Sequence, residues 1–302
     1  MLKLFIVALL GSVFLTPLAA QAKVNIFACE PEWEALAKEI GGDKVRTFSA
    51  TNANQNPHFI RARPSLIAKA RNADLIICSG AGLEVGWLPI LLRRAGSGVQ
   101  PGAVGHLMAS EHVPIVEKPT TIDRSMGDLH PEGNPHIHLN PHNILLIADE
   151  LTQRLQAINP EESAVFQMRT LDFKDRWKRA ITQWEKEADF LKGAAVVVHH
   201  KSFSYFNDWL GLRQVASLEP KPGIPPTIIH LEGLLQQLST KPAGIIIRTP
   251  YDPEDASEWL SERTGTPAVV LPYTIGGDID TIDLFSLFDR SLALLLGHLG
   301  GQ

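Results

Sequence analysis

The stretch PEESAVFQMRTLDFKDRWKRAITQWEKEADFL, residues 160–191, separates two halves of the chain that share one pattern of short apolar runs and amphipathic segments. From Trp177 to Leu191 its apolar residues recur at intervals of four, three, four and three, the period of one helix face. This predicts a single helix over 160–191, about 45 Å long at the α-helical rise per residue. We expect it to join the two halves rigidly; two helices that break near Asp172 are the alternative.

The apolar runs on either side of this helix predict strands. They lie at 24–28, 45–49, 74–78, 194–198, 215–218, 244–247 and 269–271. Because helical patterns separate consecutive runs, each half is predicted to be a parallel sheet with right-handed crossovers. The predicted fold class is α/β, with two parallel-sheet lobes joined by one long helix. The expected segments are an N-terminal lobe over 23–158, the linking helix over 159–192 and a C-terminal lobe over 193–302. Residues 97–132 are rich in Gly and Pro and are predicted to be irregular.

Residues 1–22 have the features of a secretory signal peptide. Lys3 precedes an apolar run that ends at Leu18, and Ala20-Gln21-Ala22 is an A-x-A cleavage site. The apolar run is short for a membrane span; an N-terminal anchor is the alternative. We therefore expect an exported, periplasmic protein that begins near Lys23. The net charge of the full sequence, −5, argues against a nucleic-acid partner, which would favour a basic surface.

Two cysteines, Cys29 and Cys78, each follow an apolar run that is predicted to be a buried strand. If these strands are neighbours in a parallel sheet, both thiols lie at the same edge, and an exported location permits a disulfide. The alternatives are two small buried thiols and a two-cysteine metal site. The metal site is less favoured because no other cysteine accompanies the pair.

Histidines cluster in loops beside the predicted strands. The run GNPHIHLNPH, residues 133–142, holds three of them, and its prolines indicate turn or extended structure rather than helix. His58 lies in a second loop, His199-His200 in a third, and Asp278 follows two glycines in a late loop. Because strand ends of such lobes face a common cleft, we predict that these four loops converge on one metal ion.

The residues alone leave part of the ligand set open. They do not choose between His136 and His138, or between His199 and His200. Asp278 has an alternative role as a helix N-terminal cap ahead of the next residue. Imidazole with one carboxylate is a ligand set that zinc favours in four-coordinate sites.

The histidine motifs resemble those of the zinc and manganese solute-binding proteins of bacterial ABC importers, the ZnuA/TroA-like family. Asn56-Pro57-His58 is similar to that family's Asp-Pro-His. The segment 134–141 is similar to its Asp-Pro-His-x-Trp-Leu-Asp-Pro, and 200–206 to its His-x-x-(aromatic)-x-Tyr-Phe. The resemblance implies His58, His136 and His200 as ligands and leaves His138 where the family has Trp. It also implies two α/β lobes joined by a rigid helix.

Two departures from that family bear on the site. Its usual Leu-Asp-Pro-Leu segment is replaced here by Leu271-Pro272-Tyr273-Thr274, which has no acid. Asp278, a few residues later, is the replacement that a resemblance to the AztC-type branch implies. The predicted metal ligands are therefore His58, His136, His200 and Asp278. The long His- and Asp-rich loop of many zinc members is reduced here, so zinc capture by the remaining histidines is not favoured. These are His106, His112 and His130.

The resemblance implies a periplasmic high-affinity protein that captures Zn²⁺ and delivers it to an ABC transporter membrane permease. Three imidazoles and a carboxylate suit zinc better than manganese, although the ligand set alone does not separate zinc from copper or nickel. Four protein ligands would leave no open position for a reactive water, so we expect no enzymatic activity and no catalytic residue. We expect a monomer; the sequence does not decide whether a periplasmic zinc chaperone is also a partner.

Two other functions are alternatives. An exported zinc-dependent hydrolase would need a three-histidine site with an open position and a general base, for which Glu219 is the candidate. A metal-binding adhesin or a chaperone client, in either case without a permease, is the other. Glu219 and Arg248 are charges near predicted strand ends, where they would either orient metal ligands or be ordinary loop charges.

Overall fold

The computed structural model describes residues 22–121, 127 and 130–300 of the chain. The N-terminal half contains β1 (Val24–Ala28), α1 (Pro31–Gly41), β2 (Val45–Ser49), α2 (Pro64–Arg71), β3 (Leu75–Cys78), α3 (Leu88–Leu92), β4 (His106–Met108) and α4 (Pro141–Ile158). After α5 (Ser163–Glu187), the C-terminal half contains β5 (Ala195–Val198), α6 (Ser204–Leu210), β6 (Arg213–Ser217), α7 (Ile228–Thr240), β7 (Ile245–Arg248), α8 (Asp255–Thr264), β8 (Ala268–Val270) and α9 (Leu284–Leu299). The predicted signal peptide lies almost wholly outside the described residues.

The strands of the described chain form two four-stranded sheets with the same order, β2-β1-β3-β4 and β6-β5-β7-β8. Every pairing in both sheets is parallel. In each sheet the first strand lies at the centre, and the crossovers leave it in both directions. Such a reversal opens a crevice at the carboxyl ends of the strands. The predicted fold class, two parallel-sheet α/β lobes with a long connecting helix, is confirmed.

The connecting helix α5 runs without a break through Asp172 over 25 residues. The predicted span of 160–191 was therefore too long, because a 3-10 turn forms at each end of α5, Pro160–Glu162 and Asp189–Leu191. Its apolar face packs against α1, α4 and α9. Trp177 Nε1 donates to the carbonyl of Pro141 over 2.8 Å and Trp184 Nε1 to Asp289 Oδ1 over 2.6 Å, which ties α5 to both lobes.

The prediction that 97–132 is irregular was wrong at one place. Strand β4 lies within it and pairs with β3 in parallel register, with Leu107 opposite Ile77. A strand of three residues after Gly105 has too short an apolar run to be recognised by alternation. Most of the loop 123–129 is outside the described residues.

The predicted disulfide between Cys29 and Cys78 is confirmed. The two residues follow Ala28 and Ile77, which are paired across β1 and β3, and their Cα atoms lie 4.8 Å apart. Adjacent parallel strands that end together thus bring both sulfur atoms to one edge. No helix in the described part of the chain is long and apolar enough to cross a membrane.

Candidate metal centre

Three imidazoles meet between the lobes, at the carboxyl edges of the two sheets. One ring nitrogen each of His58, His136 and His200 lies within 4.8 Å of the corresponding atoms of the other two. Ring centroids are 5.4 Å apart for His58 and His136, and 5.6 Å for each pair that includes His200. The first two rings come from the N-terminal half and the third follows β5, so the cluster spans the lobes.

The same local turn presents the two N-terminal rings. Asn56 Oδ1 accepts the backbone N–H of His58, and Asn134 Oδ1 accepts that of His136, each over 3.0 Å. An Asn side chain that bonds the second residue onward forms an Asx turn, and the intervening proline fits its fixed backbone angle. The sequence Asn-Pro-His therefore fixes the backbone at both histidines by a local turn.

The Nδ1 atom of each ring is held by a second side chain. His58 Nδ1 lies 2.8 Å from Asn56 Oδ1, and His200 Nδ1 lies 2.7 Å from Glu219 Oε2. An amide or carboxylate oxygen can only accept, so both Nδ1 atoms donate. In neutral rings the Nε2 atoms then carry free electron pairs, which is how outer groups fix the tautomer of a metal-binding histidine.

His136 Nδ1 lies 2.7 Å from the hydroxyl of Tyr273, which can donate or accept; where the hydroxyl accepts, Nε2 keeps a free electron pair as in the other two rings. His136 Nε2 is buried and has no hydrogen-bond partner among the described residues. An unsatisfied buried acceptor is costly, and a cation between the three rings would satisfy it. Burial lowers the pKa of His136 well below its ordinary value, and the nearby His58 and His200 lower it further. The ring is therefore neutral near pH 7, the form that binds metal.

The sequence profile of the family described as "ZnuA: Zinc-uptake complex component A periplasmic" matches residues 26–290. The chain belongs to this family. The resemblance expected from the histidine motifs is thus confirmed at the level of the ZnuA family, whereas the AztC-type branch remains a prediction.

Proteins similar to this chain are named for different metals. The zinc-binding lipoprotein AdcA of Streptococcus pneumoniae serotype 4 is 22% identical over 255 residues, which are 83% of this chain and 49% of AdcA. The chain thus spans about half the length of that relative. The manganese ABC transporter substrate-binding lipoprotein PsaA of Streptococcus mitis is 22% identical over 264 residues, 85% of this chain and 82% of PsaA. A crystal structure of ZnuA covers 91% of this chain and 99% of its own at 19% identity, and its TM-score of 0.76 indicates the same fold.

Asp278 lies apart from the three rings of this ZnuA-family chain. It is not in the group of described ligand atoms that lie within 4.8 Å of one another. Its Oδ2 accepts from Arg290 Nε over 3.0 Å and its Oδ1 accepts the N–H of Asp280 over 3.0 Å. The loop nonetheless reaches the other lobe, since a Cβ on Gly276 would lie 3.9 Å from Ala53 Cβ. Asp278 as fourth ligand therefore stays a prediction.

His130 was not favoured from the sequence, yet it lies beside the cluster. Its Nε2 is 3.0 Å from His58 Nε2, and it lines a pocket together with His136 and His200. A tetrahedral zinc with four nitrogen ligands separates them by about 3.3 Å, so this spacing is compatible with a shared ion. Its position in the shortened loop before the second motif was the signal that could have found it.

The other candidate histidines do not belong to the described three-ring cluster. His138 Nε2 lies 2.9 Å from the carbonyl oxygen of Tyr273, and His106 Nδ1 lies 3.0 Å from that of Val99. His112 Nδ1 lies 3.7 Å from Glu150 Oε2. His199 is buried, and it does not belong to the described cluster.

Of the two unexplained charges, one has a role at the site. Glu219 fixes His200 as described above, and its Oε2 also accepts the N–H of Gly223 over 3.0 Å. Arg248, the last residue of β7, instead pairs with Glu254 over 3.3 Å in its own lobe.

Proposed function

We propose that this chain is a periplasmic zinc-binding protein that captures Zn²⁺ and delivers it to the membrane permease of an ABC importer. The observation that carries the proposal is the set of three imidazoles whose Nδ1 atoms are held by Asn56, Tyr273 and Glu219. Where these Nδ1 atoms donate, the Nε2 atoms can bind one ion, and that of His58 also contacts His130 Nε2. Membership of the ZnuA family supports uptake as the purpose of that binding.

The proposed ligands are His58, His136, His200 and, as the fourth, Asp278. Three imidazole nitrogens favour zinc over manganese, which prefers more oxygen ligands. To reach the ion, Asp278 would leave Arg290, which requires a movement of the 276–281 loop. His130 is the competing fourth ligand because its Nε2 already lies 3.0 Å from His58 Nε2.

A four-ligand site supports binding and release rather than catalysis. The candidate general base of a hydrolase, Glu219, is already engaged by His200 and Gly223. Both bonds favour its role in orienting a ligand. We therefore propose a transport protein and no enzyme.

Zinc stoichiometry and affinity of the purified protein test the proposal, measured by competition with a chelator of known affinity. We expect one tightly bound zinc per chain, and a large loss of affinity in His136→Ala. His142→Ala is the matched control, because His142 is exposed on α4 and pairs with Glu185 outside the cluster. Absence of tight zinc binding, or equal affinity in His136→Ala and the control, would refute the proposal. Parallel titrations with Mn²⁺, Cu²⁺ and Ni²⁺ decide the metal.

A further inference from the structure

Four buried polar side chains form a contact between the lobes, next to the metal centre but outside its ligand set. Glu32 and His138 come from the N-terminal half, and Tyr273 and Thr274 from the C-terminal half. Their exposed fractions are 0%, 1%, 2% and 2%. A charged or polar side chain is rarely buried to this extent unless its partners compensate the loss of water. We call these residues the interlobe polar contact.

Specific hydrogen bonds hold the segment 273–274 against the N-terminal lobe. His138 Nε2 lies 2.9 Å from the carbonyl oxygen of Tyr273, and because a carbonyl only accepts, Nε2–H donates. Thr274 Oγ1 donates to Glu32 Oε2. The other oxygen of Glu32 lies 3.2 Å from His138 Nδ1, a contact that does not meet hydrogen-bond geometry, so the carboxylate touches both His138 and Thr274 but bonds only Thr274.

The phenol of Tyr273 extends this contact to the metal centre. Its hydroxyl lies 2.7 Å from His136 Nδ1, while its backbone carbonyl accepts a hydrogen bond from His138 Nε2–H. The ring of Tyr273 also packs edge-on against that of His138, with centroids 4.8 Å apart. The place of the phenol, and with it the orientation of the His136 ring, therefore depends on how His138 holds the backbone of Tyr273 and how Glu32 holds the side chain of Thr274.

We infer that Glu32 and His138 are positioning residues that act on the metal ligand His136 through Tyr273. This inference rests on the proposed function. The contact holds the ring of His136 so that its buried Nε2 faces the ion. It also fixes the start of the loop that carries Asp278 relative to the N-terminal lobe. Loss of the contact lets the imidazole of His136 rotate away, and zinc then leaves faster.

Variants of the full-length exported protein test the inference through zinc affinity and the zinc dissociation rate. His138→Phe removes the donor to Tyr273, and Tyr273→Phe removes the hydroxyl that holds His136. We expect each to raise the zinc Kd about ten- to hundredfold, the usual effect of losing an outer partner of a metal ligand. His138→Gln keeps an N–H near the position of Nε2, and we expect it to remain within about threefold of the wild type.

The double variant distinguishes a positioning role of His138, exerted through Tyr273, from a loss of zinc affinity that is independent of Tyr273. If His138 acts through Tyr273, the pair His138→Phe and Tyr273→Phe loses no more affinity than Tyr273→Phe alone. The control pair is His138→Phe with Glu219→Gln, which acts on His200 instead, and its two losses should multiply because the residues share no partner. The visible spectrum of the Co²⁺-loaded protein should differ from that of the wild type in His138→Phe and match it in His138→Gln.

The inference would be overturned if the losses of zinc affinity in His138→Phe and Tyr273→Phe multiplied in the double variant. It would also be overturned if His138→Phe melted at a lower temperature but bound zinc as the wild type does, since His138 would then have a purely structural role. If His138→Phe does not fold, the isosteric Thr274→Val, which removes the donor to Glu32, gives the same test when it is paired with Tyr273→Phe. Failure of the proposed function would give a different result. The wild type would bind no zinc tightly, or His136→Ala would bind zinc as tightly as the wild type.

Discussion

Arg290 holds the carboxylate of Asp278, with 3.0 Å between Arg290 Nε and Asp278 Oδ2. If Asp278 is the fourth metal ligand, this ion pair competes with the metal. Both side chains are partly exposed, at 35% and 20%, so the pair is worth at most about 1 kcal/mol. We therefore predict that Arg290→Gln tightens zinc binding about two- to fivefold by titration. In an Asp278→Ala background the same change should have no effect; weaker binding would instead mean that Arg290 supports the bound form.

The fourth ligand is decided by two single substitutions. Loss of a protein ligand should raise the zinc Kd at least about a hundredfold, because loss of an outer partner alone costs ten- to hundredfold. We predict this loss for Asp278→Ala and no more than about threefold for His130→Ala. The reverse pattern would make His130 the ligand, which its distance of 3.0 Å from His58 Nε2 permits. Equal zinc affinity of both variants and the wild type would indicate a three-histidine site.

The stability of the metal-free protein should depend on pH through Glu84. Burial raises the pKa of Glu84 to about 7, and its Oε1 accepts the N–H of Ser79 over 2.8 Å. A carboxyl whose pKa is higher in the folded state contributes stability that is complete below its unfolded pKa of about 4.5 and is lost as pH rises through about 7. Burial and the adjacent Glu84 also raise the pKa of Glu30, so the two carboxyls contribute to this decrease together. Glu84→Gln should make the decrease in the unfolding free energy smaller.

That comparison requires the variant because histidines oppose the effect. Burial lowers the pKa of His58 well below its ordinary value, as it does for His136. As pH falls, such a histidine is protonated in the unfolded chain before it is protonated in the folded protein. The free energy of unfolding therefore rises with pH through about 6.5. Urea unfolding of wild type and Glu84→Gln at several pH values gives the difference, in which the histidine contributions cancel. Parallel curves for the two proteins would contradict the assignment to Glu84.

The disulfide should stabilise the fold without serving the metal site. Cys29 and Cys78 are 49 residues apart, and the chain-entropy relation for a loop of that length gives about 4 kcal/mol. We predict that replacing both cysteines by alanine lowers the free energy of unfolding by about 2–4 kcal/mol. The zinc Kd of the folded variant should stay within about threefold. A large loss of zinc affinity in a fully folded variant would show that the strand ends β1 and β3 also position the ligands.

Local sequence was enough to predict the two α/β lobes, because the periods of strands and helices are local properties. The turn that presents His58 and His136 is local too, since Asn-Pro-His contains both the acceptor and the donor of its own hydrogen bond. Two elements were misjudged at this level. These are the ends of α5, where 3-10 turns replace the last α-helical bonds, and strand β4, whose three residues are too few to show a period.

The partners of the rings depended on tertiary structure. Tyr273 is 137 residues from His136, and Glu32 is 242 residues from Thr274. No local pattern relates such residues, because only the packing of two separately formed sheet edges brings them together. Local sequence therefore determined the lobes and the turns that offer histidines. The tertiary structure decided which nitrogen of His136 and of His200 is held: Tyr273 reaches His136 from the other lobe, and Glu219 reaches His200 from the end of the neighbouring strand β6.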